Sequence, residues 1–430
     1  MADARRRGLL GALAVAPLAA AWLARPGLRG GGHDDYFLRL QAALRAAGLM
    51  RPTLVIDRER LDANLAELRR RLPASMGYRI VAKSLPSLAL IDRVAAATGS
   101  RRLMVFDQPF LNAVAAERPD WPVLLGKPLP VGAAARFFEH HRGAADGAAS
   151  IQWLVDTPER LAQYAELARA RLAGGAPPMA ITLELDIGLH RGGVRDADAL
   201  GALLRRLQAE PALRFSGFMG YEAHAAKMPG LLGGPEGALR QAMARYRAFV
   251  DAARAVLGAA FQPESLTLNA GGSGTYTLYR GDEPCNELAV GSALVMPSDF
   301  DRPSLAGHQP ACYIATPVLK ALARTELPGL EALSGLFRTW DRNSERAFYL
   351  SGGYWLADPV SPPGLQRNAL WGHSTNQDLL NGSAQVQLAA DDHVFFRPHQ
   401  SERVFLEFGD LAVYAGGRIV EQWPVVPALA

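Results

Sequence analysis

Leu61, Leu65, Leu68 and Leu72 recur at helical spacing, with arginine and glutamate between them, and predict an amphipathic helix. Asp57 stands where it can cap that helix, and Thr53–Asp57 reads as a short strand before it. Beyond this point short apolar runs alternate with helical patterns. The predicted strands are Tyr78–Lys83, Leu103–Phe106, Pro122–Lys127, Ile151–Asp156, Ala180–Ile187, Arg214–Glu222, Ser265–Ala270 and Asn286–Val290. Thr157-Pro158 is a cap followed by a first-turn proline, opening a helix with Leu161, Tyr164, Leu167 and Leu172 on one face. Ala199–Gln208 and Gly237–Gly258 are further helices. Strands alternating with helices in this way predict an α/β fold, a (β/α)8 TIM-type barrel. An open doubly wound sheet is the alternative, and the lack of a dinucleotide-binding fingerprint favours the barrel.

After Pro297 the texture changes. Residues 311–320 and 346–357, then Gln385–Leu388, His393–Phe396, Val404–Phe408, Leu411–Tyr414 and Arg418–Trp423, read as strands with no long helix among them. The expected organisation is a leader and linker over 1–30, a barrel over 50–297 and a C-terminal β-rich domain over 298–430. In the leader, Arg5-Arg-Arg-Gly-Leu-Leu10 opens an almost uncharged run over 8–24 with small residues at Ala19-Ala-Ala21. That pattern predicts an export signal of twin-arginine type and a periplasmic protein. At 17 residues and with Pro17 inside it, the run is marginal as a membrane span. An uncleaved anchor, or a cytoplasmic protein with a mis-assigned start, is the alternative. Gly27–Asp35 is expected to be a flexible linker.

Hydrophobic residues make up 49% of the 430 and charged residues 20%, enough for a large core and against disorder. The net charge of +4 comes partly from the leader, and a near-neutral body argues against nucleic acid as a partner. Cys285 and Cys312 are too few for a disulfide framework or a Cys-rich zinc site. Lysine is scarce: Lys83, Lys127, Lys227 and Lys320 are the four in the chain. Arginine stays protonated and cannot act as an amine nucleophile, so each surviving lysine is of interest.

Lys83 ends the first predicted barrel strand, and barrels carry their chemistry at the C-terminal strand ends. An amine there can form a Schiff base. Lys127 ends another strand, and for either lysine a surface ammonium is the plain alternative. Asn269-Ala-Gly-Gly-Ser-Gly-Thr-Tyr276 follows the seventh strand and Gly291-Ser292 the eighth, where barrels often bind phosphate on backbone amides. Leu183–Val194 brings Asp186, His190 and Arg191 near the mouth; Arg191 either meets a bound molecule or pairs with Asp186. Gly217–His224 supplies Tyr221 for stacking and His224 for proton transfer, or as a structural histidine.

In order, Thr-Leu-Val-Ile-Asp57, Val-Ala-Lys83, Leu-Asp-Ile-Gly-Leu-His-Arg-Gly-Gly-Val194, Gly-Tyr-Glu-Ala-His224, Asn-Ala-Gly-Gly-Ser-Gly-Thr-Tyr276 and Glu-Leu-Ala-Val-Gly-Ser292 resemble pyridoxal-phosphate enzymes of the alanine-racemase fold. The chain is most similar to the D-threonine aldolase and D-serine dehydratase branch, from about residue 50 to residue 425. The resemblance implies that Lys83 is the Schiff-base lysine, that Arg191 and Tyr221 flank the cofactor ring, and that Gly272, Ser273, Gly274 and Thr275, with Gly291 and Ser292, hold its phosphate. It also implies a homodimer, and a divalent metal on a His-x-Cys or His-x-Asp pair in the β-rich domain. Here His399 is kept but Ser401 stands at the partner position, a poor ligand. Asp378, His373 or Glu402 would have to compensate. The expected function is a lyase acting on a D-3-hydroxy amino acid, with Lys83 and His224 as catalytic groups. An amino acid racemase or epimerase, a non-catalytic cofactor-binding protein and a sugar-phosphate barrel enzyme are the rivals.

Overall fold

Asp57 accepts a hydrogen bond from the amide of Arg60, and the leucine stripe that follows is buried at Leu61, Leu65 and Leu68. The cap and the apolar face together set this helix, as the spacing predicts. The computed structural model describes residues 25–141, 150–326, 328–329, 331–368 and 372–426. The predicted export signal lies outside them.

In chain order the elements begin with α1 (Asp35–Ala46), β1 (Thr53–Asp57) and α2 (Arg58–Arg71). The alternation follows as β2 (Gly77–Val81), α3 (Leu88–Thr98), β3 (Leu103–Val105), α4 (Gln108–Glu117), β4 (Val123–Leu125), α5 (Val131–His140) and β5 (Ile151–Val155). It continues with α6 (Pro158–Ala173), β6 (Met179–Leu185), α7 (Ala197–Gln208), β7 (Leu213–Gly220), α8 (Gly234–Leu257), β8 (Thr267–Ala270) and β9 (Glu287–Val290). Strands β2 to β9 form a closed parallel barrel in sequence order, β9 pairing with β2. Every predicted barrel strand is present; β2 to β7 end one or two residues sooner than predicted, and β2, β6 and β7 begin one residue earlier. Thr157 caps α6 as predicted, but its buried face is Leu161, Tyr164, Ala165 and Ala168, while Leu172 is exposed.

The barrel belongs to a compact unit of Ile56–Cys312, His399–Val413 and the residues from Glu421 on. Strand parity sorts its interior. Arg79 lies in the barrel with Glu287 of β9, both almost fully buried; Nε donates to Oε1 at 2.5 Å and Nη2 to Oε2 at 3.1 Å. Asn269 of β8 also donates to Glu287, and Arg79 to the carbonyl of Leu103 on β3. Burial alone would raise the Glu287 carboxyl, but the Arg79 charge and the hydrogen bonds from Arg79 and Asn269 hold it below its ordinary value. Two residues nearer the mouth, Val81 and Ala289 line a cavity floor with Met104 and Met219.

The second unit takes the described residues up to Val55, Tyr313–Pro398 and Tyr414–Val420. It holds β10 (Cys312–Leu322), β11 (Arg346–Leu350), β12 (Ala357–Ser361), β13 (Gln366–Arg367), β14 (Leu379–Gly382) and β15 (His393–Pro398), while the residues of β16 (Leu411–Ala415) and β17 (Arg418–Trp423) are divided between the two units. Strand β10 pairs antiparallel with β11 and β15, β11 with β14, and β12 with β15. The sheet runs β13-β14-β11-β10-β1-β16-β17, so β1 is a sheet strand.

Several expectations are corrected here. A helix, α9 (Glu331–Trp340), lies where none was expected. Val404–Phe408 is not a strand: Ser401–Val404 is a helical turn, α10, because the Phe405 amide bonds back to the Ser401 carbonyl. Gln385–Leu388 is a turn and an extended segment whose Gln387 amide donates to Gly31. Gly27–Asp35 is no free linker. Asn343 bonds both Gly27 and Arg29, Ser383 bonds Arg29, and His33 meets Ser361 at 2.8 Å. Asp34 then caps α1. Both cysteines are buried free thiols.

Candidate active site

The strand β2 stops at Val81, and Lys83 sits in the 3-10 turn Ala82–Ser84 that follows. Its side chain is about one third exposed, and Nζ lies 4.7 Å from the centroid of the Phe106 ring and 2.6 Å from Oε1 of Glu402. Gly126 makes room for that ring, since a Cβ there would stand 2.3 Å from Phe106. The amine opens into a cavity of about 90 Å³ that is open to solvent on one side. Lys127 is exposed and does not line this cavity, so it has the plain surface role.

Arg191 and Tyr221 line the same cavity, the guanidinium carbon 5.2 Å from the Tyr221 ring centroid. Arg191 reaches it because Asp186 shapes the loop. Asp186 accepts from the amides of Gly188 and His190 and from His190 Nδ1 at 2.9 Å, and His190 takes a left-handed φ of 56°. The sequence left open a pairing of Arg191 with Asp186; Asp186 is occupied by His190. Beneath the loop, burial pushes Glu184 up to about 7, against the pull of Arg191 and with Asp156 and Asp186 adding to the rise. Burial also raises the Tyr221 phenol.

The Gly-rich loop after β8 and the turn after β9 meet here. Ser273 Oγ accepts from the amides of Gly291 and Ala293, at 3.2 and 3.1 Å. The amides of Gly272, Ser273 and Gly274 have no partner among the described residues. A Cβ at Gly272 would stand 2.6 Å from Tyr221, and one at Gly291 2.8 Å from the Val81 carbonyl. The glycines thus let backbone approach the cavity, as a phosphate cradle requires. Glu222, fully buried, braces the loop: it accepts from Thr275 Oγ1 and the Gly271 amide. Burial raises its carboxyl, partly offset by these hydrogen bonds. Ser292 Oγ donates to Ser84 Oγ at 2.9 Å.

Three contributors were not singled out as cofactor-site residues from sequence. Glu402 was weighed as a compensating metal ligand, and the structure sets it against Lys83 instead. Arg302 lies 3.9 Å from a Cβ at Gly274 and gives Nη1 to the Ala226 carbonyl. Glu222 lies in a quoted motif, but only its burial distinguishes it. His224, expected as a catalytic group, does not line the cavity. It begins a 3-10 turn four residues beyond β7, and its ring turns onto Gly188, 3.2 Å from a Cβ there. Burial, His190 and Arg245 lower its pKa.

The metal position fits a divalent ion poorly. Ser401 is buried and neutral, and its Oγ has no partner among the described residues. Asp378 accepts from the amides of Ser374 and Tyr354, and His373 stacks on Tyr354. Among the described residues no three His, Cys, Asp or Glu side chains form a metal-holding group.

Residues 56–299 match the family described as alanine racemase, N-terminal domain. The chain belongs to that family. Proteins of that fold family bind pyridoxal phosphate. The same architecture occurs in D-threonine aldolase from Filomicrobium marinum (TM-score 0.67, 17% identity, 87% of this chain and 95% of that one). It occurs in D-threo-3-hydroxyaspartate dehydratase from Delftia sp. HT23 (0.66, 17%, 88% and 98%) and in alanine racemase from Bacillus anthracis (0.63, 15%, 87% and 98%). At these identities the likeness is one of fold. No curated protein matches the sequence.

Proposed function

We propose that the chain is a pyridoxal-phosphate-dependent lyase acting on a D-3-hydroxy amino acid. It would break either the Cα–Cβ bond, giving glycine and an aldehyde, or the Cβ–O bond, giving a keto acid and ammonia. The observation that carries this reading is the Lys83 amine in a cavity whose other wall is Gly272 and Ser273, their amides without a partner among the described residues. Those amides, with Arg302 beside them, suit a phosphate group, and the amine suits an aldehyde. When bound, the cofactor draws electron density away from the substrate's Cα and weakens its bonds.

The chain's own residues then choose the bond. Lys83 Nζ accepts or returns a proton at Cα. Glu402 Oε1, 2.6 Å from that amine, holds the proton that leaves or joins it, so the two act as one acid–base unit. Arg191 donates to an oxygen of the bound molecule and Tyr221 packs against it. Phe106, Met104 and Met219 keep the floor apolar and exclude water. His399 and Ser401 support no step through a metal.

A second reading, an amino acid racemase or epimerase, is favoured by Ser401, because racemisation needs bases and no metal. One experiment separates them. The protein is loaded with pyridoxal phosphate, reduced with borohydride and mapped; the adduct is expected on Lys83. Loaded protein is then given D-threonine and D-serine in deuterated water. Aldehyde or keto acid supports the lyase, and deuterium at Cα with inversion alone supports the racemase. No adduct at Lys83 overturns both readings.

A further inference from the structure

Helix α9 carries its apolar residues outward. Leu333, Leu336, Phe337 and Trp340 follow i, i+3, i+4, i+7 and so share one face, and they are 48, 69, 44 and 41% exposed. The residue it buries is Ser334, and Arg338 ties the helix down by giving Nη1 to the Thr325 carbonyl at 2.6 Å. A helix of this pattern normally turns its stripe to the core. Here all four stay part-exposed, Leu336 most of all, while Phe337 and Trp340 also line a groove with Thr325, Arg338 and Asp341.

Arg25 donates from Nε to the Trp340 carbonyl at 3.0 Å and from Nη2 to the Thr339 carbonyl at 2.7 Å. The chain therefore enters the described fold at the last turn of α9. Immediately before Arg25 lies the almost uncharged run of residues 8–24, preceded by Arg5, Arg6 and Arg7. One short apolar run is marginal as a span, and one short amphipathic helix is a weak interfacial anchor. Two such signals at one end of a fold hold a surface together. Among the described residues no helix is long and apolar enough to cross a membrane, so α9 would lie in the interface.

We propose that the outer face of α9 is a membrane-docking surface, its occupant the headgroup and acyl boundary of an anionic lipid bilayer to which the N-terminal run delivers it. The arginines at 5–7 suit the anionic headgroups, and Leu336 and Phe337 enter the acyl boundary. This does not depend on the reaction at Lys83.

The test is flotation of the full chain with vesicles of mixed phosphatidylcholine and phosphatidylglycerol. Wild type is expected to float, and Leu336→Glu/Phe337→Glu to partition at least ~10-fold less at unchanged circular dichroism. Leu172→Glu, at a leucine 38% exposed on α6, should float as wild type does. If the double variant does not fold, Leu336→Ser is read in its place, with a loss of at least ~3-fold expected. Wild type that stays with the soluble fraction overturns the proposal. So does a variant that floats equally well, since the run alone would then suffice. A variant that changes the oligomer mass and leaves flotation unchanged assigns the face to a second copy, and also overturns it.

Discussion

Replacing Glu287 by Leu is expected to destabilise the barrel by about 3–5 kcal/mol, because it strands the Arg79 guanidinium in the interior. Arg79 and Glu287 are 2% and 1% exposed. The substitution removes two of the three hydrogen bonds that hold the guanidinium and leaves only the Leu103 carbonyl. It also leaves the Asn269 amide without its acceptor. Arg79→Met alone strands the carboxylate, with Arg102 at 3.2 Å as its remaining cation, and should cost somewhat less. The double variant Arg79→Met/Glu287→Leu removes both charges. Its cost should fall to about 1–2 kcal/mol, mostly the orphaned Asn269 amide, at ~1–3 kcal/mol for a buried unsatisfied donor. The coupling energy is then at least ~2 kcal/mol. Urea unfolding of the four proteins at neutral pH measures the cycle. The sign with pH follows from the depressed Glu287 carboxyl: its contribution is complete above the ordinary carboxylate value and lost as pH falls through the folded one. The reasoning fails if Glu287→Leu costs under ~1 kcal/mol, or if the double variant costs the sum of the singles.

Other outcomes are equally specific. Glu184, raised to about 7, binds its proton more tightly folded than unfolded, so its contribution is complete below the unfolded value and is lost as pH rises towards 7. Glu184→Gln should flatten that fall, worth at most ~3 kcal/mol, in urea midpoints compared at acid and neutral pH; an unchanged slope refutes it. Gly291→Ala places a methyl 2.8 Å from the Val81 carbonyl and 2.9 Å from Ser84 Cβ, and should weaken pyridoxal phosphate binding at least ~10-fold in a fluorescence titration. Glu402→Gln should lower kcat by ~10²–10⁴-fold while cofactor affinity stays within a few-fold. Loss of cofactor binding instead would make Glu402 a structural partner of Lys83.

Local chemistry alone determined much of this protein. The barrel strands are legible because each is a short apolar run bounded by its own turn and helix caps. The motif order then places Lys83 and both phosphate-type loops at strand ends, and glycine spacing marks where backbone must approach a ligand. Asp57 and Thr157 cap their helices as the sequence says, since capping is a contact over three residues. Tertiary structure decided what depends on distant partners. Strand β1 looks like any short strand, and only its neighbours make it a sheet strand. The residues at 27–35 look like a linker until Asn343, Ser383 and Ser361 supply their hydrogen bonds. His224 reads as a catalytic base in its motif, yet the loop geometry turns its ring onto Gly188. Glu402 meets Lys83 although the two lie near opposite ends of the sequence, because the His399–Val413 segment packs with the barrel unit. No periodicity or spacing encodes such a pairing; it follows from which surfaces the completed fold brings together.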